Sequence, residues 1–198
     1  PDHRLSEMVQ VCDAKILIAL DEHFVMPLLA TQITTIVRPE TISHNLPETK
    51  PIGVTPVKSA YILFTSGSTG QPKGTCIGHA AYLNLVMGMI EEYGMTADDR
   101  TLMFSSPSFD VSLSDIGVPL AAGASICPVS LATLSAPNRL VDLIAELSIS
   151  VVDLTPTYLR LLWGAALPSV RILVTGGEAP FAAEVATYAK NHRYYNAY

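Results

Sequence analysis

The sequence predicts an α/β fold with a mostly parallel β-sheet flanked by helices. Short apolar runs typical of buried strands alternate with segments whose apolar positions recur every three or four residues, as they do in helices. The composition agrees, because 49% hydrophobic and 15% charged residues describe an ordered globular chain. Alternation of this kind is characteristic of parallel sheets whose faces are covered by helices.

The first part of the chain has a mixed pattern. Helices are predicted over Arg4–Cys12 and Phe24–Gln32, and strands over Lys15–Leu20 and Ile33–Val37. Four prolines and little periodicity then indicate a surface linker at about residues 38–59. We expect the regular part of the sheet to begin after this Pro-rich linker.

After the linker, strands and helices alternate regularly. Strands are predicted over Tyr61–Phe64, Thr101–Ser105, Ala124–Cys127, Ser150–Leu154, Arg171–Thr175 and from Arg193 to Asn196. Helices are predicted over His79–Tyr93, Asp110–Ala121, Asn138–Leu147, Pro156–Trp163 and Pro180–Lys190. Thr155 is the expected N-cap of one of them, because threonine accepts from free amides and proline suits the first helical turn.

Charge and cysteine content exclude several classes of protein. The net charge of −6 leaves no basic field for nucleic acid, so no nucleic-acid partner is expected. Three cysteines without metal-ligand spacing argue against a disulfide framework or a zinc site and favour a reducing, cytoplasmic compartment. The segment Ile116–Asn138 carries no charge and is long enough to span a bilayer, but three prolines and two glycines interrupt it. We therefore expect a buried helix, strand and loop there, and no membrane partner.

The stretch Phe64–Gly74, "FTSGSTGQPKG", follows a predicted strand and combines glycines, hydroxyls and one lysine. Ligands of α/β proteins bind beyond the carboxyl ends of parallel strands, and Gly67, Gly70 and Gly74 permit the positive φ that lets amides converge on an anion. The stretch matches neither a Walker loop nor the GxGxxG pattern. By composition alone, a mobile surface loop is as good an interpretation as a phosphate-binding loop.

The order of residues in "YILFTSGSTGQPKG" resembles the phosphate-binding core motif of the adenylate-forming enzymes. This superfamily includes nonribosomal peptide synthetase adenylation domains, acyl-CoA synthetases and luciferases. The resemblance implies that the chain is part of the large N-terminal domain of such an enzyme and binds ATP. The phosphate-binding residues that it implies are Thr65, Ser66, Gly67, Ser68, Thr69, Gly70 and Lys73.

The segment Ser108–Ile126, "SFDVSLSDIGVPLAAGASI", resembles the next core motif, in which an aspartate binds the α-ammonium of an amino-acid substrate. The matching residue is Asp110. A helix N-cap is the alternative role for this aspartate, and the two roles are compatible. Because acyl- and aryl-CoA ligases have no ammonium to bind, Asp110 favours amino-acid activation by a peptide synthetase.

Three later segments resemble the family in the same order. They are "VVDLTPTYLRLL" at Val151–Leu162, "RILVTGGEAP" at Arg171–Pro180 and "YYNAY" at Tyr194–Tyr198. The adenine-binding residues that the resemblance implies are Gly177, Glu178, Ala179, Asn196, Ala197 and Tyr198. An aromatic face suits a purine ring, although an ordinary strand-end turn is the alternative for the paired glycines.

The resemblance also implies a pocket that recognises the substrate side chain. Its residues in this chain are Asp110, Val111, Ser114, Asp153, Val174 and Gly176, with Ala197 beside them. Several of these are small, so we expect a roomy pocket. An unpaired buried carboxylate is costly, and Asp153 therefore suggests a cationic or hydrogen-bond-donating side chain of the ornithine or lysine type. The alternative is that Asp153 bonds to backbone at a strand end.

The resemblance covers nearly all of residues 1–198, which are interpreted as a partial adenylation (AMP-binding) domain. The family's Mg²⁺-binding glutamate and its C-terminal subdomain, with the catalytic lysine, have no counterpart here, so no catalytic or metal-binding residue is assigned and we expect these residues alone to be inactive. The implied partners are an amino acid, a phosphopantetheinyl carrier protein domain and neighbouring synthetase domains. The alternatives are an acyl- or aryl-CoA ligase, or a non-catalytic degenerate domain.

Overall fold

The computed structural model describes residues 2–19, 32–42, 53–66 and 72–197. The chain forms two compact units, Pro1–Tyr82 and Leu83–Tyr198. The boundary between the units falls inside a helix, His79–Tyr93, rather than in the Pro-rich stretch. The first unit carries the hydroxyl- and glycine-rich stretch, and the second carries the remaining predicted site residues. Each unit is described by itself.

The described part of the first unit contains a helix and two small sheets. Its elements are α1 (Asp2–Val11), the parallel pair β1 (Ile16–Ile18) and β2 (Thr35–Val37), and the antiparallel hairpin β3 (Ser59–Ser66) and β4 (Pro72–Gly78). A short 3-10 helix, Pro39–Thr41, lies at the start of the Pro-rich stretch. The predicted first helix and both predicted strands are confirmed, whereas the helix predicted over Phe24–Gln32 falls on residues 24–31, outside the described residues.

The hairpin β3–β4 differs from the expectation of a strand that ends before a long loop. Strand β3 continues to Ser66 and pairs antiparallel with β4, so that Thr65 lies opposite Lys73. The expectation that Gly74 supplies a positive φ is wrong, because Gly74 is not among the glycines in that conformation. A Cβ at Gly74 would lie 3.2 Å from the ring of Phe64, so glycine leaves room for that ring across the hairpin.

The second unit is an α/β layer structure built on one sheet. Its strands are β5 (Arg100–Met103), β6 (Ser125–Pro128), β7 (Val151–Leu154), β8 (Ile172–Thr175) and β9 (Arg193–Asn196). They form a five-stranded sheet in the order β6-β5-β7-β8-β9, and every neighbouring pair is parallel. The predicted α/β class with a mostly parallel sheet is therefore confirmed.

Helices connect these strands. They are the second half of α2 (His79–Tyr93), then α3 (Val111–Ala122), α4 (Leu131–Leu134), α5 (Pro137–Glu146), α6 (Pro156–Leu161) and α7 (Ala182–Tyr188). The hydroxyl of Thr155 caps α6 by accepting from the Tyr158 amide at 3.2 Å, as predicted. The one-turn helix α4 was not predicted, and the uncharged segment Ile116–Asn138 is divided among four elements. Within the described residues, no helix combines the length and hydrophobicity needed to cross a bilayer.

Side chains on the two faces of the sheet have different neighbours because they alternate along each strand. One face carries the main hydrophobic core, in which Val152, Leu154 and Leu173 pack with residues of α5, α6 and α7. On the opposite face, Thr101 pairs with Val151, and Asp153 pairs with Val174. Helix α3 and the end of α2 cover this second face, which we call the polar face because it carries Thr101 and Asp153.

Candidate functional site

A cavity of about 440 Å³ opens at the carboxyl ends of β5, β7 and β8. We call it the outer cavity. It is lined by Phe104, Ser105, Ser106, Phe109, Asp110, Val111, Asp153, Leu154, Thr155, Gly176, Gly177 and Glu178. The carboxyl edge of a parallel sheet is where α/β proteins bind ligands, because loops from several strands converge there.

Asp110 stands where the β5–α3 connection enters the helix. The amide of Phe109 donates to the carbonyl of Ser106 at 2.9 Å, which forms the turn before the helix. Oδ1 of Asp110 accepts from the amide of Val111 at 3.0 Å, so the residue is the N-cap of α3. Its carboxylate is exposed and lines the outer cavity. The N-cap alternative is thus confirmed, and it leaves the carboxylate open to a ligand.

The Gly-Gly-Glu turn after β8 forms another wall of the outer cavity. Gly177 has φ of +85°, a left-handed conformation that glycine adopts without strain. Oε1 of Glu178 accepts from the amide of Thr157 at 2.8 Å, which ties the turn to the start of α6. Hydrogen bonds from Thr157 lower the pKa of Glu178 below its ordinary value. The turn is therefore fixed in place, while the space beside Gly177 is open.

A second, smaller space lies deeper, on the polar face of the sheet. Its volume is about 20 Å³, enough for one group the size of a water molecule. We call it the inner chamber. It is lined by Met89, Tyr93, Met95, Thr101, Ser114, Asp115, Val118, Pro119, Val151, Asp153 and Val174. Asp153 lines both spaces, so the inner chamber and the outer cavity meet at this side chain.

Two carboxyl groups with raised pKa values face the inner chamber. Burial, followed by the charge of Asp115, raises the pKa of Asp153 to about 7. Burial also raises the pKa of Asp115 to about 6, although hydrogen bonds from Ser105 and Phe104 oppose that shift. Oδ2 of Asp115 accepts from the Ser105 amide at 3.0 Å. Burial and then Asp153 raise the pKa of Tyr93 to about 12, so its hydroxyl stays neutral.

The structure brings most of the predicted substrate-pocket residues together. Asp110, Val111 and Gly176 line the outer cavity, Ser114 and Val174 line the inner chamber, and Asp153 lines both. The backbone alternative for Asp153 is not what the structure shows, since its carboxylate accepts no hydrogen bond from the described residues. Ala197 lies beside the pocket, because a Cβ on Gly176 would be 3.5 Å from the Ala197 carbonyl oxygen.

The residues predicted to bind adenine are distributed along the carboxyl edge of the five-stranded sheet. Gly177 and Glu178 line the outer cavity, whereas Ala179 does not. Asn196 is the exposed last residue of β9, paired with Thr175, and the Ala197 amide donates to the Thr175 carbonyl at 2.8 Å. Tyr198 lies outside the described residues.

The predicted phosphate-binding residues belong to the first unit. Thr65 and Lys73 are exposed and face each other in the β3–β4 hairpin, with the Thr65 hydroxyl 3.5 Å from the Lys73 carbonyl oxygen. The backbone of Ser66 belongs to β3. Gly67, Ser68, Thr69 and Gly70 lie outside the described residues. Among the residues that the structure describes, no group of three or more His, Cys, Asp or Glu side chains could hold a metal ion.

Asp115 and Thr101 are among the residues of the inner chamber that were not predicted from the sequence. Asp115 lies four residues after Val111 and three before Val118, so the helical period alone places this acid on the buried face of α3. No sequence feature distinguished Thr101 in a comparable way, because threonine is common in strands. Its hydroxyl is significant only because three elements converge on it without supplying a partner.

A family model for AMP-binding enzymes matches residues 1–198. The chain is 33% identical over 203 residues to peramine synthetase A of Epichloe festucae, a match that covers 100% of this chain and 7% of the relative. It is 41% identical over 139 residues to nonribosomal peptide synthetase 32 of Fusarium pseudograminearum, covering 69% of this chain and 2% of the relative. The chain thus spans a small part of the length of the curated relatives it matches.

Solved structures share the fold. The crystal structure of IdnL7 matches with a TM-score of 0.81 and 25% identity, over 99% of this chain and 43% of that chain. The N-terminal subdomain of Klebsiella oxytoca NpsA matches with a TM-score of 0.76 and 23% identity, over 99% of this chain and 50% of that chain. The chain therefore belongs to the AMP-binding enzyme family, and its fold matches that of the NpsA N-terminal subdomain.

Proposed function

We propose that this chain takes part in amino-acid adenylation, in which ATP and an amino acid give aminoacyl-AMP and pyrophosphate. The observation that carries the proposal is the exposed carboxylate of Asp110, held at the mouth of the outer cavity in a chain of the AMP-binding family. A free carboxylate at that position suits the α-ammonium that distinguishes an amino acid from other carboxylic acids.

In the proposed reaction, the substrate carboxylate attacks the α-phosphorus of ATP. A new phosphorus–oxygen bond forms, the bond between the α- and β-phosphates breaks, and pyrophosphate leaves with the electron pair. Reactions of this class are accelerated mainly by positioning and charge stabilisation. Oδ1 of Asp110 is fixed by the Val111 amide, which orients the carboxylate toward the substrate. The attraction to an ammonium 4 Å away is about 4 kcal/mol at an effective dielectric constant of 20.

We propose that the adenine of ATP binds in the outer cavity beside the Gly-Gly-Glu turn, near Asn196 and Ala197. The open space at Gly177 and the hydrogen bond that fixes Glu178 support this placement. The family resemblance assigns the phosphates of ATP to a separate set of residues, namely Thr65, Ser66, Gly67, Ser68, Thr69, Gly70 and Lys73. The family resemblance implies that Mg²⁺ accompanies ATP, and no described residue is assigned to hold it.

The acyl group would then pass to the phosphopantetheine thiol of a carrier protein domain, within a cytoplasmic synthetase of secondary metabolism such as siderophore assembly. The names of the relatives support a role in nonribosomal peptide synthesis. We also propose that these 198 residues alone do not catalyse adenylation, because the family resemblance assigns no catalytic residue among them.

The test is amino-acid-dependent ATP–pyrophosphate exchange by the enzyme that carries this chain. Exchange is expected with amino acids and not with the matched acids that lack the α-amino group. Asp110→Ala should lower kcat/KM for the amino acid about 10- to 100-fold, since an exposed ion pair is worth less than a buried one. Asp142→Ala, which removes an exposed acid from α5, is the matched control.

The outcomes separate the competing functions. Equal exchange with the des-amino acids, or a change below fivefold in Asp110→Ala, would favour an acyl- or aryl-CoA ligase. Absence of exchange with every acid would favour a degenerate, non-catalytic domain. Exchange by the isolated 198-residue chain would contradict the proposal that these residues are inactive by themselves.

A further inference from the structure

The inner chamber contains a hydroxyl group without a partner. Thr101 is 4% exposed, and its Oγ1 forms no hydrogen bond with any described residue. The side chain lines the inner chamber, next to the polar face of β7. Buried hydroxyls are normally paired, because taking one out of water without a compensating hydrogen bond is unfavourable. The position of Thr101 therefore points to a group that binds in the chamber.

The same chamber holds two acids. Asp115 is 2% exposed and has Oδ2 engaged by the Ser105 amide. The carboxylate of Asp153 receives no hydrogen bond from the described residues, although it lies in the same lining. None of the described lining residues is basic, and Tyr93 is the remaining titratable group that faces the chamber. The two acids thus have no cation beside them among the described lining residues, and Asp153 and Thr101 receive no hydrogen bond from those residues.

An ammonium group satisfies both requirements. It carries one positive charge and up to three N–H donors, and it is close to water in size. A volume of about 20 Å³ accommodates one such group and is too small for a planar guanidinium with its five donors. Thr101, Asp115 and Asp153 supply three oxygen acceptors from three different elements, which matches the number of donors on an ammonium.

We propose that the inner chamber receives the terminal ammonium of a linear diamino-acid side chain, bound by Thr101, Asp115 and Asp153. The assignment rests on the proposed function for the outer cavity, where Asp110 would hold the α-ammonium of the same molecule. Asp153 was suggested by the sequence, whereas Thr101 and Asp115 are added by the structure. A single ordered water in the chamber is the competing occupant.

Binding of an ammonium is coupled to a proton. Because the pKa of Asp153 lies at about 7 and that of Asp115 at about 6, the pair holds part of a proton near neutral pH. Tyr93 does not share in this titration, since its pKa is about 12. An entering ammonium favours ionised carboxylates, so it displaces the proton. Binding should therefore be tighter at pH 8 than at pH 6.

A direct binding experiment tests the chamber without requiring activity. The probe is n-propylammonium chloride, and 1-propanol is the neutral control of the same shape. Carboxyl-carbon NMR of the aspartates follows the titration in the wild type and in Thr101→Val. We expect propylammonium, but not propanol, to lower the apparent pKa of the Asp153–Asp115 pair. Thr101→Val should weaken that effect about tenfold, as expected for one lost hydrogen bond to a charged group.

Thr101→Val is the most informative variant because the hydroxyl has no partner to lose in the described structure, so the fold is expected to be retained. Thr101→Ser keeps the hydroxyl and should bind propylammonium nearly as well as the wild type. Equal responses to propylammonium and propanol, or an unchanged affinity in Thr101→Val, would overturn the proposal and favour an ordered water alone.

ATP–pyrophosphate exchange in the enzyme that carries this chain then separates this inference from the proposed function. L-Ornithine should be preferred over its neutral analogue L-norvaline, and Thr101→Val should reduce that preference about tenfold. Preference for norvaline would overturn the chamber assignment while leaving adenylation intact. Specific propylammonium binding without ATP–pyrophosphate exchange for any amino acid would support the chamber assignment and contradict the proposed function.

Discussion

Arg171 binds the carboxylate of Asp99 through two hydrogen bonds, although 72 residues separate them. Nε donates to Oδ1 at 2.7 Å, and Nη2 donates both to Oδ2 and to the carbonyl of Gly94. Asp99 also accepts from the Ser150 hydroxyl at 2.7 Å and from the Thr96 amide at 2.8 Å. Burial alone would raise the pKa of Asp99, but these donors outweigh it and lower the pKa to about 2.

This pair joins the amino-terminal ends of the sheet to helix α2, opposite the carboxyl edge that carries the outer cavity. Asp99 precedes β5, Ser150 precedes β7, and Arg171 precedes β8. Bidentate arginine–carboxylate pairs fix geometry as well as charge. We infer that the network sets the spacing of the three strands whose opposite ends form the site.

Arg171→Met is expected to lower the free energy of unfolding by about 2–3 kcal/mol. The variant leaves the carboxylate of Asp99, 3% exposed, without its cation. The loss is less than that for an entirely buried pair, because the Thr96 and Ser150 donors remain and the arginine is partly exposed. Urea-induced unfolding of the chain, followed by circular dichroism, measures the change.

Arg139→Met is the matched control for this prediction. Arg139 also forms a bidentate pair, with Glu146 at 2.7 and 3.1 Å, but both side chains are exposed. Exposed ion pairs contribute little to stability, so the free energy of unfolding of the control should be close to that of the wild type. Equal losses in the free energy of unfolding in the two variants would show that the stabilisation by the Asp99–Arg171 pair does not depend on burial.

Asp153→Asn is expected to stabilise the chain at pH 8 by more than it does at pH 5. The folded-state pKa of about 7 exceeds the ordinary 3.8, so between these values the native state holds a proton that the unfolded state has released. The free energy of unfolding of the wild type therefore falls as pH rises through this window. Removing the ionisable group should raise the free energy of unfolding by about 2–4 kcal/mol at pH 8.

Thermal unfolding at pH 5 and pH 8 checks this prediction. Asp142→Asn removes an exposed acid of α5 and should show no such difference between the two pH values. Asp115, with its own raised pKa, is still present in Asp153→Asn and leaves a smaller dependence of the same sign. A constant difference from the wild type at both pH values would refute a raised pKa for Asp153.

The fold was largely predictable because its signals are local. The strands from β5 to β9 coincide with short apolar runs, and the longer helices follow the helical period. Strand β4 was not predicted, since "PKGTCIG" has few strand-favouring residues and is defined by its pairing with β3. The one-turn helix α4 is too short to produce a periodic pattern.

The site was predictable to the extent that its residues follow a motif. Asp110 and Gly177 were named from the order of residues, and the structure brings both to the outer cavity. Asp115 could have been found from its helical phase, whereas the unpartnered hydroxyl of Thr101 depends on contacts that converge from distant segments. Raised pKa values likewise follow from burial, which a sequence does not specify.

Gly177→Ala is expected to impair both stability and function, whereas Gly164→Ala should impair stability alone. The two glycines have φ of +85° and +82°, and a Cβ at either would meet no atom within 4 Å. Each alanine should therefore cost about 1–2 kcal/mol through backbone strain alone. Only Gly177 lines the outer cavity, so only the methyl group of Gly177→Ala would stand where the proposed nucleoside lies.

Urea unfolding should show a similar loss in the free energy of unfolding for both variants. In ATP–pyrophosphate exchange, Gly177→Ala should raise the KM for ATP about threefold to tenfold, and Gly164→Ala should leave it unchanged. An unchanged KM in both variants would remove the Gly-Gly-Glu turn from the proposed nucleotide site, because strain and methyl volume are matched between them.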